Sequence, residues 1–105
     1  MILEAYLIAS VILSAVAACA VEYLVELLWN KVLDWFQERR SVKLSDGQNI
    51  AFTLMERLNN GNCKTVQGIF HQGTSKVLDA AVFESARVDA TLGEYHRGTP
   101  LVVYG

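Results

Sequence analysis

Ala5-Tyr-Leu-Ile-Ala-Ser-Val-Ile-Leu-Ser-Ala-Val-Ala-Ala-Cys-Ala-Val21 is a run of seventeen residues without a charge, and it decides how the rest of the chain is read. It continues without Pro or Gly into Glu22-Tyr-Leu-Val-Glu-Leu-Leu-Trp-Asn-Lys-Val-Leu-Asp-Trp-Phe-Gln-Glu-Arg-Arg40. With no breaker on the way, residues 2–38 read as one helix. At 1.5 Å per residue it would be roughly 55 Å long, more than the roughly 30 Å of a bilayer's hydrocarbon core.

Three readings compete for this run. Val16-Ala17-Ala18-Cys19 fits a lipobox-like pattern, but a signal peptide wants a positive n-region, and Glu4 is the one charged side chain ahead of the run. A transmembrane helix over Ala5 to Leu24 is the leading reading. Lys31, Arg39, Arg40 and Lys43 follow that span and no base precedes it, which places the C-terminal part in the cytoplasm by the positive-inside rule. Tyr23, Trp29, Trp35 and Phe36 would then form the interfacial aromatics. The third reading is a soluble helix buried by other copies or by a partner, because a segment apolar all round cannot stay exposed to water.

Polar and small residues recur every four positions: Ser10, Ser14, Ala18, Glu22, Glu26, Asn30, Asp34 and Glu38. Ser10, Ser14 and Ala18, with the pair Ala5 and Ala9, predict a close helix-packing face. Glu22, Glu26, Asn30 and Asp34 form a polar row that either marks the water boundary or lines a lumen in an oligomer.

From Val42 onward the chain reads as a small α+β domain. Ser45-Asp-Gly-Gln48 has the form of a capping box, and Ile50, Ala51, Leu54, Met55 and Leu58 share one face of a helix that stops at Asn59-Asn-Gly-Asn62. Residues 64–71 and 76–83 predict a β-hairpin, with Gly73 supplying the positive φ of its loop. Asp89 caps a short helix that ends at Gly98, and Leu101-Val-Val-Tyr104 is a last strand.

The chain has 105 residues, 52% hydrophobic and 19% charged, with a net charge of -2; this excludes a disordered tail and gives no basic surface for nucleic acid. Cys19 and Cys63 lie in segments of opposite character, so reduced thiols are expected. Cys63, Asp79, His71, Glu94 and His96 are the candidates for chemistry, and no two have a metal-ligand or catalytic spacing. Asp79 is expected to face outward, opposite Lys64 or Gln67, and the two histidines to lie at the surface. Tyr104 packs on the core or anchors a partner. No catalytic residue, metal or cofactor is predicted.

The expected architecture is therefore α+β. A long N-terminal helix over residues 1–41, a membrane anchor and packing element, precedes a cytoplasmic domain over residues 42–105 of helix, strand, strand, short helix and strand with a three-stranded sheet. The function that follows is a non-enzymatic, single-pass membrane accessory or assembly subunit. It would contact membrane lipid and form a homo-oligomer or join a larger membrane protein complex. The alternative is an oligomeric membrane pore or effector with a glutamate-lined path, and the third reading is a soluble oligomer whose apolar helices form a shared core.

Overall fold

A computed structural model describes the backbone of residues 2–104 and the side chains of residues 7–104. The elements in chain order are α1 (Ile2–Val16), β1 (Val21–Leu27), α2 (Trp29–Glu38), α3 (Arg40–Leu44), β2 (Asn49–Arg57), β3 (Cys63–His71), β4 (Lys76–Val88), α4 (Ala90–Tyr95) and β5 (Leu101–Tyr104). The five strands form one mixed sheet in the order β1-β4-β3-β2-β5.

The long helix and the membrane span are corrected by this arrangement. The chain leaves α1 at Val16, turns through Cys19, whose N–H donates to the Val16 carbonyl at 2.9 Å, and enters β1 at Val21. Among the described residues no helix is long and apolar enough to cross a membrane. The single-pass topology, the cytoplasmic placement inferred from it and the membrane accessory role therefore lose their basis, and so does a pore built from membrane-spanning helices. The physical reason lies in the spacing of four. Glu22 and Glu26 share a helix face at i and i+4, but they equally share a strand face, where the period is two. Val21, Tyr23 and Val25, β-branched or aromatic, occupy the alternate positions and favour the strand.

The three-stranded sheet is corrected for the same reason. Ile50, Leu54 and Leu58, again four apart, suggested a helix; the segment is the strand β2, hydrogen-bonded on one side to β3 and on the other to β5. Covered on both faces, it carries apolar or β-branched residues at nearly every position from Ile50 to Met55. The capping box dissolves accordingly. Ser45 Oγ donates to the Val42 carbonyl at 2.7 Å and Asp46 Oδ1 accepts from the Gln48 N–H at 2.8 Å, a turn that feeds a strand. In the β3–β4 loop the positive φ belongs to Ser75 and not to Gly73. The boundary expected between residues 41 and 42 falls inside α3.

Each face of the sheet carries its own core. On one, Ile12 and Val16 of α1 pack on Phe52, Leu54, Val66, Phe70 and Val82. On the other, Val32 of α2 and Leu92 of α4 pack on Leu27 and Phe83. Each fully buried large side chain contributes about 1.5–3 kcal/mol. One aspartate joins the two junctions of the second layer: Asp89 Oδ1 accepts from Thr91 N–H at 2.8 Å to cap α4, and its Oδ2 accepts from Trp29 N–H at 3.2 Å at the start of α2. Leu28, at the N-cap position of α2, offers no side-chain bond of its own, so α2 is capped from 60 residues away.

Candidate functional site

The residues of interest fall into two places at opposite edges of the sheet, with α2 crossing between them. At the β5 edge, four rings are contiguous. Trp29 lies with ring centroids 5.1 Å from Tyr95 and 5.7 Å from Tyr104, and Tyr104 lies 5.4 Å from Tyr95 and 5.8 Å from Phe36. These are tilted and edge-on geometries of the kind aromatic quadrupoles prefer.

Beneath them runs a polar chain. His96 Nδ1 lies 3.1 Å from the Thr99 carbonyl, which can only accept, so Nδ1 carries the proton and Nε2 is left as an acceptor. Thr53 Oγ1 donates to Nε2 at 2.7 Å and accepts from the Tyr104 hydroxyl at 2.7 Å. Burial holds the His96 imidazole below its ordinary pKa, and burial likewise pushes the Tyr104 phenol up. The threonine–histidine pair has the look of an activated nucleophile, but Thr53 has no exposed surface and its hydroxyl is engaged as donor and acceptor. The chain ties β5 and the end of α4 to β2.

Beside these rings opens a groove of about 390 Å³ between α2, α3 and β5, walled by Trp29, Leu33, Phe36 and Tyr104 and lined also by Arg40 and Lys43. Trp29 and Phe36, expected at a membrane interface, therefore stand in its wall, whereas Trp35 lies under the Arg39 guanidinium at 3.9 Å on another face of α2.

At the opposite edge, β1 pairs with β4 on one side and its other side is open. Tyr23 and Val25 are 72% and 69% exposed there. Glu22 is bridged to Lys31 at 3.3 Å and Glu26 to Arg87 at 3.4 Å, so two members of the expected polar row sit on a strand while Asn30 and Asp34 sit on α2. Of the expected packing residues, Ser10 and Ser14 are on the exposed face of α1, Ala9 is partly buried against the core, and Ala18 lies past the helix end. The side chain of Ala5 lies outside the described residues.

The remaining candidates are separate. Asp79, opposite Ile69 in the register rather than Lys64 or Gln67, accepts from Arg39 Nε at 2.6 Å. His71 Nε2 lies 3.0 Å from Asp46 Oδ2, and its Nδ1 accepts from Thr74 N–H at 3.0 Å. Glu94 bridges to Arg97 at 3.1 Å. Cys63 is buried, Cys19 is exposed and both thiols are free. No group of three or more metal-ligating side chains converges among the described residues. The Thr53–His96–Tyr104 chain was invisible in the sequence because its members are 43 and 51 positions apart.

What fold and geometry define is an α+β domain with one five-stranded mixed sheet, an open apolar edge and an aromatic groove. No family model, curated protein or solved structure matches the chain.

Proposed function

We propose that this chain is a non-catalytic assembly module whose working unit is a symmetric pair of copies joined along β1. The observation that carries this reading is the open edge of β1, seven residues long, with Tyr23 and Val25 among the most exposed apolar side chains of the molecule. An edge of that length with no strand paired to it among the described residues is a template for another strand, the two glutamates on its α2 side being already bridged to Lys31 and Arg87. A second copy fits it. Antiparallel pairing about Leu24 sets Tyr23 against Val25 of the second copy twice, an aromatic and β-branched pair worth about 0.2–1 kcal/mol each time. The same register brings Glu22 toward Glu26 of the second copy, and each already has a cation within 3.4 Å.

The outer side of α1, which carries no charge among the described side chains, adds to this surface. Leu7 and Leu13 are 56% and 37% exposed, with Ser10 and Ser14 between them as small residues that admit a close neighbour. Val21 packs with α1, so by the strand's period of two Tyr23 and Val25 lie on the same side of the sheet as α1.

Light scattering after size exclusion is the test. The parent runs at twice the 11.6 kDa of one chain, and a Tyr23→Lys/Val25→Lys double variant, which puts two lysines on the edge, runs at 11.6 kDa with unchanged circular dichroism. A parent that stays single at high micromolar concentration, or a variant that stays paired, overturns the proposal.

A further inference from the structure

We infer that the groove between α2, α3 and β5 is a binding site for a small amphipathic anion with a flat aromatic body and a carboxylate head. Its walls are made by Trp29, Leu33, Phe36 and Tyr104, and its volume of about 390 Å³ lies within the roughly 300–1,000 Å³ of small-molecule pockets. The tilted rings leave an edge-and-face surface against which another flat ring packs with the same quadrupole preference.

The charges select the sign of the ligand. Arg40 and Lys43 line the groove, and no acidic side chain does. Of the nine Lys and Arg side chains, Lys31, Arg39, Arg87 and Arg97 have a carboxylate within 4.0 Å among the described residues; of the five without one, Arg40 and Lys43 are the two that line the groove. Two uncommitted cations beside an aromatic wall fit an anion and repel an aromatic ammonium, so the ring cluster does not serve as a cage for cations. A carboxylate at Arg40 gains a planar, two-pronged donor, and Lys43 adds a point charge. The site lies at the opposite end of the sheet from β1 and does not depend on pairing of the chain.

Indoleacetate and tryptamine share one ring system and differ in the sign of the charge, which makes them the probes of choice for titration by calorimetry and by amide chemical-shift changes. The site predicts that indoleacetate binds in the micromolar to low millimolar range and shifts amides of α2, α3 and β5, while tryptamine binds about tenfold more weakly, each exposed cation contributing a few-fold. In an Arg40→Gln/Lys43→Gln variant the preference between the two probes disappears, and because neither side chain is buried the fold is retained. Leu33→Asp weakens indoleacetate without altering circular dichroism. Equal binding of both probes, binding to neither, or an unchanged preference in the double variant overturns the inference.

Discussion

Gly68 is a position where a single hydrogen atom decides the packing. A Cβ built on it would stand 2.5 Å from the Asp79 carbonyl oxygen on β4 and 2.9 Å from the ring of Phe52 on β2, so the ring occupies the space a side chain would need. Gly68→Ala is expected to destabilise the fold by about 1–3 kcal/mol, because the backbone contact cannot yield without displacing β4. Urea unfolding of the variant against the parent measures this, and an unchanged midpoint would show that the sheet gives way there at no cost. The sequence offered Gly68 only as a weak member of an alternating strand, since the need for it comes from a cross-strand ring that no local spacing reveals. The same holds for Asp89. Its role as the cap of α4 is written in its position before Ala90-Thr-Leu, but its bond to Trp29 N–H depends on two strand ends meeting.

Among the elements, α1 shows how an apolar run divides into two faces. Ile12 and Val16 are buried in the core, while Leu7 and Leu13 point away from it. Ile12→Ala should therefore cost about 2–5 kcal/mol, and Leu13→Ala much less in the isolated chain. Thermal unfolding of dilute protein distinguishes them, and equal losses would refute the orientation of the helix. The run was legible as apolar and as helical at its start. What it could not reveal is the break, because Ala17-Ala-Cys-Ala20 contains no residue that stops a helix and β1 exists only through its pairing with β4. The hairpin of β3 and β4 was readable since turn and alternation are local. The central strand β2 was not, because a strand covered on both faces loses its alternation and looks like a buried helix.

For the whole molecule, the titratable groups set a stability that falls toward acid in two steps. Hydrogen bonds from the Gln48 backbone and His71 lower the pKa of Asp46, Asn62 and Asn60 lower that of Glu84, and the Thr91 and Trp29 N–H groups lower that of Asp89. Each carboxylate binds its proton more readily unfolded, so its contribution is complete above the ordinary values of 3.8 for aspartate and 4.5 for glutamate and is lost as pH falls through the folded value. Burial lowers the pKa of His96 from 6.5, so the unfolded chain again protonates first, and stability declines as pH falls below that value. The melting temperature is expected to be highest above neutrality, to dip first below pH 6.5 and to drop further below 4.5. His96→Gln should remove much of the first dip and Asp89→Asn soften the second. A profile flat between pH 7 and pH 5 would contradict the His96 assignment, and no further loss between pH 4.5 and pH 2 would contradict that of the carboxylates.

The parallel pairing of β1 with β4 also sets an order in time. Hairpins β2–β3 and β3–β4 close over short loops and can form as soon as they are synthesised, whereas Val21 finds Val82 only after most of the chain has left the ribosome. Until then α1 and β1 have no sheet to lie on, and the apolar side chains they later bury, Ile12, Val16 and Leu27, are open to a holding chaperone. The docking of α1 and β1 therefore waits on β4, and it brings the Asp89 carboxylate to Trp29.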